Sequence, residues 1–290
     1  MNRAQTAGAL YVVGTPIGNL EDVTLRALRV LREVDLIAAE DTRVTRKLLA
    51  RHDIHTPVTS YHENSPPSKL RSLVKRLGEG ASIAVVSDAG MPGISDPGAD
   101  LIAACVAAEI PVVAIPGPTA LMTALVLSGL PTDRVVYHGF LPNRRQARRK
   151  ALEELRERTE TMVFYEAPHR IKACLEDMHE ILGDRRAAAA RELTKVYEEV
   201  VRGRLSDLSE RFATHRPRGE ITLIIEGAAQ GGSESAPPVE DAVTAVRQLV
   251  REGTSLRDAT RIVAESTGQS RRTLYQAALD ADVTRRIEND

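Results

Sequence analysis

The chain is poor in aromatic side chains. Among 290 residues there are six Tyr, three Phe and no Trp, 3% in all. Any stacking on a nucleobase must therefore be done by very few residues. Cysteine is almost as scarce. Cys105 and Cys174 each sit in apolar surroundings, which suits buried free thiols in a reducing compartment and offers neither a disulfide framework nor a thiolate metal site. His52 and His55 have a metal-compatible spacing, but no Cys or further His completes a site, so no metal is expected. No apolar run reaches the length of a membrane span and no secretory h-region opens the sequence, so a cytoplasmic protein with no membrane partner is expected. Nor is there an excess of charge of one sign. Lys+Arg number 39 and Asp+Glu 40, a net charge of −1, so bulk charge does not announce a nucleic-acid partner.

What is present is a pair of glycine- and proline-rich loops, each directly after a short apolar run. Ile83-Ala-Val-Val-Ser-Asp-Ala-Gly-Met-Pro-Gly-Ile-Ser-Asp-Pro-Gly98 starts as a buried strand and turns abruptly into Gly, Pro, Ser and Asp. Pro111-Val-Val-Ala-Ile-Pro-Gly-Pro-Thr-Ala120 repeats the pattern. Two such loops at neighbouring strand ends make a cleft, and their glycines let a ligand approach the backbone. Neither loop carries Lys or Arg. That argues against a phosphate cradle and fits a small cationic ligand such as S-adenosylmethionine (AdoMet). The first strand runs into Gly14-Thr-Pro-Ile-Gly-Asn-Leu-Glu-Asp22, which is neither a dinucleotide fingerprint nor a P-loop.

Strands are expected at Leu10–Gly14, Leu36–Ala39, Ile83–Ser87 and Pro111–Ile115. Helical patterns lie between them at Leu25–Val34, Lys69–Leu77 and Ala99–Ala108. This alternation implies right-handed crossovers and a largely parallel sheet. The chain turns at Leu130–Asp133. A second α/β set follows, with strands at Arg134–His138, Met162–Tyr165 and Glu220–Glu226 and a helix over Gln146–Arg158. Residues 228–238 have a linker composition, and beyond them the pattern is helical. Ser255–Glu265, a turn at Gly268 and Gln269–Ala278 have helix-turn-helix spacing, which suits either nucleic-acid contact or a small helical packing module. The expected domains are 1–131, 132–228, a linker over 229–239 and a helical domain over 240–290.

Ligands of open α/β sheets gather at the carboxyl ends of strands. Glu40-Asp41-Thr42-Arg43 lies at one such end and reads either as a helix N-cap or as a substrate contact. Tyr165-Glu166-Ala-Pro-His169-Arg170 lies at another, where Arg170 offers a fork for phosphate. Arg144, Arg145, Arg148, Arg149 and Lys150 share one helix face with no acidic residue before Glu153. The run reads as a solvated face or, better, as a basic stripe for an RNA backbone; Arg271 and Arg272 open the last helix in similar fashion.

Seven segments occur in order: Gly-Thr-Pro-Ile-Gly-Asn-Leu-Glu-Asp, Glu-Asp-Thr-Arg, Ser-Asp-Ala-Gly-Met-Pro-Gly-Ile-Ser-Asp-Pro-Gly, Pro-Gly-Pro-Thr-Ala, Gly-Phe-Leu-Pro, Tyr-Glu-Ala-Pro-His-Arg and Glu-Leu-Thr-Lys. Together they resemble the bacterial ribosomal RNA small subunit methyltransferase I family, over nearly the whole chain. The resemblance implies two α/β domains of the tetrapyrrole-methylase type with an AdoMet cleft between them, plus a small C-terminal helical domain. It implies 2′-O-methylation of a cytidine, position 1402, in the decoding region of 16S rRNA, within the 30S subunit, by a homodimer. AdoMet would be held by Pro16, Asp88, Ala89, Gly90, Ile94, Ser95, Pro116, Gly117, Thr119 and Ala120 on one side. Tyr165, Leu193, Gly219, Glu220 and Thr222 would form the other wall. Glu166, His169, Asp41 and Lys195 are the candidate proton acceptors, and Arg43 and Arg170 join the basic stripe as RNA contacts. Gly90-Met91-Pro92 stands where many tetrapyrrole methylases carry Gly-Asp-Pro, which disfavours a porphyrin precursor. The rival readings are an enzyme of the same fold acting on a tetrapyrrole or a protein side chain, and a non-catalytic nucleic-acid-binding regulator.

Overall fold

The computed structural model describes residues 8–214, 217, 219–229, 239–267 and 269–287. The chain divides into two compact units, Met1–Ala228 and Ala229–Asp290.

In the first unit, β1 (Leu10–Val13), β2 (Leu36–Ala39), β3 (Val58–Ser60), β4 (Ile83–Val86) and β5 (Val112–Ile115) form a sheet of order β3-β2-β4-β1-β5. All its pairings are parallel. The central strands are apolar along their whole length because both faces are covered: β1, β2 and β4 are buried at every residue. Tyr11 and Val13 pack on one face with α1 (Leu25–Glu33) and α2 (Thr42–Arg51). Leu10 and Val12 pack on the other with α3 (Pro67–Gly78) and α4 (Ala99–Ala107). Helix starts follow local chemistry: Thr24 Oγ1 accepts from the Ala27 N–H of α1, and Asp41 accepts from the Arg43 N–H of α2. The short β3 is not among the expected strands; its β-branched Val58 and Thr59 suit a strand, and it pairs in parallel with β2.

A second sheet has order β6-β7-β10-β8-β9, built from β6 (Val135–Phe140), β7 (Thr161–Glu166), β8 (Arg186–Arg191), β9 (Glu199–Arg204) and β10 (Ile221–Ile225). Here β6 and β7 are parallel and the remaining pairings antiparallel. One face packs against α6 (Arg145–Glu153), α7 (Ile171–Leu182) and α8 (Leu205–Thr214). The other is covered by α5 (Ala120–Ser128), whose Ala124 and Leu125 pack on Val163, Ala188, Ala190 and Ile224. α5 follows the last strand of the first sheet yet covers the second, which is how the two sheets join in one unit. β8 reads Arg-Ala-Ala-Ala-Ala-Arg, and alanine has little strand propensity; small side chains are required there because both faces are packed.

Helix α6 ends at Glu153, short of the expected Arg158. Its basic stripe is also not the free face expected. Arg148 is buried, and α7 supplies the carboxylates that α6 lacks: Asp177 receives hydrogen bonds from Arg145 at 3.2 Å, Arg148 at 2.8 Å and Arg149 at 3.1 Å. Arg149 also grips Glu180. Burial opposes the charge of Asp177, but these three arginines overcome it and hold the carboxyl below its usual range. Intrahelical pairing was the wrong test for this stripe, because the partners lie on the next helix. Arg144 and Lys150 remain exposed.

The second unit contains α9 (Val239–Arg251), α10 (Leu256–Thr267) and α11 (Arg271–Ile287), packed through Val246, Val263 and Leu274. Ser255 caps α10, accepting from the Asp258 N–H and donating to its carboxylate. Arg271 and Arg272 are exposed at the start of α11. The expected linker falls largely on residues 230–238, and the turn glycine is Gly268; these lie outside the described residues. Among the described residues no helix is long and apolar enough to cross a membrane, and Cys105 and Cys174 are buried free thiols.

Removing the carboxylate of Asp177, 2% exposed, strands the Arg148 guanidinium, 6% exposed, without its counter-charge. Asp177→Ala is expected to lower stability by about 3–5 kcal/mol, read as a fall in the urea midpoint.

Candidate active site

The carboxyl ends of β1, β4 and β5 open onto three loops held together by their backbones. Gly14 and Gly117 pass so closely that a Cβ on Gly14 would lie 2.7 Å from the Gly117 Cα, and one on Gly117 2.9 Å from the Gly14 carbonyl carbon. Thr15 and Gly90 exchange N–H···O bonds of 2.9 and 3.0 Å, and the Thr15 hydroxyl donates to the Ser87 carbonyl at 3.1 Å. Gly90 takes φ +84, which a residue with a Cβ rarely adopts. The motifs after these strands are thus mutual supports.

They form one wall of a cavity of about 1020 Å³. The opposite wall comes from the second sheet: Tyr137 and Phe140 of β6, Tyr165 of β7, Thr222 of β10, and residues 190–193 with Lys195. Tyr137 and Tyr165 meet edge to face with centroids 5.2 Å apart. The Tyr137 and Ser95 hydroxyls lie 2.6 Å apart, and the Tyr165 hydroxyl accepts from the Leu121 N–H at 3.2 Å. These bonds tie the two walls together across the cavity.

Five carboxylates line it: Glu40, Asp88, Asp96, Glu192 and Glu220. Glu40 accepts from the Asp88 N–H at 3.1 Å, and Asp88 accepts from the Asp41 N–H at 3.0 Å. Burial raises the carboxyls of Glu40 and Asp88. Asp96 is pushed up to about 7 by burial and by repulsion from Glu40, Glu220 and Asp88, against a hydrogen bond with Ser87. The two cations in the lining are already paired, Lys195 with Glu192 and Arg191 with Glu199. The cavity therefore favours a positively charged guest.

Of the side chains expected to hold a cofactor, Asp88, Ala89, Gly90, Ile94, Ser95, Thr119, Ala120, Tyr165, Leu193, Gly219, Glu220 and Thr222 line this cavity. Pro16, Pro116 and Gly117 do not; Gly117 shapes the wall from behind by its contact with Gly14. Lys195 is the one expected proton acceptor in the lining. Asp41 instead caps α2, and hydrogen bonds from Arg43 hold its carboxyl down to about 2. That same pairing occupies Arg43, whose side chain is otherwise exposed. His169 is exposed in the turn after β7.

Glu166 departs most from expectation. On β7 it shares the face of Met162 and Phe164, which points into the helix-covered core, while Tyr165 points into the cavity. Glu166 is fully buried, accepts from the Ala167 N–H at 2.8 Å and faces the Arg170 guanidinium at 3.1 Å. Arg170 also donates to the Leu141 carbonyl, so it is not the free phosphate fork expected. Strand alternation carried this signal, since residues 162, 164 and 166 share a parity. Missed residues include Asp96, Met91, Tyr137 and Phe140. Asp96 stood inside the loop already singled out; the aromatics of β6 had no local mark.

Comparison with known proteins agrees with this geometry. A family model described as Tetrapyrrole (Corrin/Porphyrin) Methylases matches residues 9–209, and one described as RsmI C-terminal HTH domain matches residues 236–282. The ribosomal RNA small subunit methyltransferase I of Synechocystis sp. is 46% identical over 276 residues, 95% of this chain and 99% of that protein. The protein of the same name from Bacillus subtilis is 42% identical over 279 residues, 95% and 96% of the two chains. The chain belongs to the ribosomal RNA small subunit methyltransferase I family. More distantly, it has the fold of uroporphyrin-III-C-methyltransferase from Thermus thermophilus, with TM-score 0.55 and 22% identity over 75% of this chain and 94% of that one. The cobalt precorrin-4 methyltransferase CbiF gives 0.58 and 16%, over 78% and 97%. A structure of the Thermus enzyme complexed with S-adenosylhomocysteine gives 0.51 and 20%, over 74% and 96%.

A methyl group on Gly14 would meet the Gly117 backbone and the Met91 sulfur, both at 2.7 Å. Backbone cannot step aside as a side-chain tip can, so Gly14→Ala is expected to cost about 1–3 kcal/mol. Thermal melting with and without the cationic ligand should show both lower stability and a smaller ligand-induced shift.

Proposed function

We propose that this family member transfers a methyl group from AdoMet to the ribose 2′-oxygen of a cytidine in small-subunit ribosomal RNA. The observation that carries the reading is the acidic cavity. Its size stands at the upper end of the about 300–1,000 Å³ usual for a small-molecule site, room enough for a nucleoside cofactor. Its surplus of carboxylates matches a guest bearing a sulfonium and an ammonium.

When bound, AdoMet supplies an electrophilic methyl carbon on a sulfonium and leaves as the neutral thioether S-adenosylhomocysteine. The chain's own task is alignment, an orientation effect. Asp88, Gly90, Ser95 and Thr119 would hold the donor from the first sheet, and Tyr165, Leu193, Glu220 and Thr222 from the second. Glu40, Asp88 and Asp96 favour the positive charge, and the apolar faces of Ile94, Met122 and Phe140 exclude water from the approach. The proton lost by the attacking hydroxyl has cavity carboxylates to receive it. Asp96, raised to about 7, has the proton affinity best matched to that task near neutral pH. Glu166 and Asp41 would act as supports for β7 and α2, since each is committed to a structural partner.

For the larger assembly, RNA would be gripped by exposed cations for which no ion pair is seen among the described residues: Arg144 at the N-cap of α6, Lys150 on α6, and Arg271 and Arg272 on α11. We take the substrate to be the 30S subunit and the working form to be a homodimer. The exposed Val126 on α5 supports the latter as an apolar group available to a second copy.

The decisive experiment supplies labelled AdoMet to 30S subunits lacking the modification and analyses the nucleosides. Label in 2′-O-methylcytidine is expected; AdoMet binding with no label in any form of 16S rRNA would overturn the reading. Protonation of Asp96 as pH falls through about 7 removes one negative charge from the cavity. AdoMet affinity measured by calorimetry should therefore weaken about threefold or more between pH 8 and pH 6. Asp96→Asn should bind with weakened affinity at pH 8 and lose that part of the pH dependence, separating it from titration of the ligand's own amine.

A further inference from the structure

We propose that Tyr197 is a stacking platform for the nucleoside that enters the cavity, making it a positioning residue for the RNA substrate. The proposal rests on the reading of the chain as an RNA methyltransferase. The chain has six tyrosines and three phenylalanines to offer a base. Tyr11, Tyr61, Phe164 and Phe212 are buried, and Tyr137 and Tyr165 are engaged with each other in the cavity wall. Phe140 and Tyr275 are each 41% exposed, whereas Tyr197 is 75% exposed. Its neighbour Val196 is 92% exposed. Neither side chain stabilises the fold by burial, so packing does not explain why two apolar groups stand here side by side.

The loop that carries them is held firmly. The Thr194 N–H donates to the Glu198 carboxylate at 2.7 Å, the Lys195 N–H to the Glu192 carbonyl at 3.0 Å, and the Glu198 N–H to the Lys195 carbonyl at 3.1 Å. Glu192 and Thr194 sit at φ 51 and 65, left-handed conformations that Glu and β-branched Thr seldom take. The loop also presses on the turn after β1: a Cβ on Gly18 would lie 2.6 Å from the Lys195 side chain and 2.7 Å from the Leu193 carbonyl oxygen. Strain retained in a pinned loop, with apolar groups displayed to water, is a feature of functional segments.

Its place decides the partner. Glu192, Leu193 and Lys195 of the same loop line the cavity, and Tyr197 follows two residues later. A ribose brought to a methyl donor inside the cavity carries its base out of the stack with its neighbours. An exposed tyrosine ring two residues along the chain from that lining would replace the lost stacking, whatever the base.

The test is steady-state methyl transfer to unmodified 30S subunits by the wild type, Tyr197→Ala and Tyr197→Phe. Loss of the ring should lower kcat/KM about tenfold or more, chiefly through KM. Tyr197→Phe should stay within about twofold of wild type, because stacking needs the ring and not the hydroxyl. AdoMet affinity by calorimetry and the sedimentation mass should be unchanged in both. Tyr197→Ala kinetics equal to wild type would overturn the proposal while leaving the methyltransferase reading intact. A loss accompanied by weaker AdoMet binding would overturn it in favour of the donor site, and one accompanied by a changed mass in favour of a contact between copies. A wild type that transfers no methyl to RNA would instead defeat the underlying functional reading.

Discussion

The contact between the backbones of Gly14 and Gly117 is the constraint from which the site is built. These two residues end adjacent parallel strands, β1 and β5, and approach within a distance that no side chain would permit. Because they touch, the loop after β1 lies against the loop after β5. The paired hydrogen bonds of Thr15 and Gly90 then bring the loop after β4 to the same place. Three loops that would be mobile in isolation become one surface, and the ligand wall inherits the rigidity of a parallel sheet. The left-handed residues Ser95 and Glu192 both line this cavity, where Ser95 is bonded to Tyr137 and Glu192 to Lys195.

Charge is distributed with similar economy. A net charge of −1 conceals a cavity where carboxylates from β2, the loop after β4 and the edge of β10 crowd one another. Elsewhere charge is neutralised within the fold: Asp177 gathers three arginines of α6, and Glu166 is matched by Arg170. Unneutralised acid is thus concentrated where a cationic cofactor is needed.

Helix α5 links the two halves of this arrangement. Thr119, at its N-cap, belongs to the cavity, while Ala124 and Leu125 cover the alanines of β8. A helix launched from the first sheet therefore seals the second, and its first turn lines the cleft. The alanine strand is the counterpart of this packing: small side chains on both faces let helices approach closely from either side.

The amino-acid sequence by itself determined the alternation of the first sheet, since its buried parallel strands are continuous apolar runs bounded by glycine and proline. It also determined the helical character of the C-terminal unit, the glycine-rich loops that line the cavity, and the family. These features are local, written in consecutive residues. It even held the orientation of Glu166, through strand parity. Other features were decided only by tertiary structure. β8 exists because neighbouring strands pair with it, not because its alanines favour a strand. The charge of α6 is cancelled by a carboxylate about thirty positions away. Asp96 owes its proton affinity to burial among residues from β2 and β10. Pairing, burial and electrostatic coupling depend on distances in space, and separation along the chain does not disclose them.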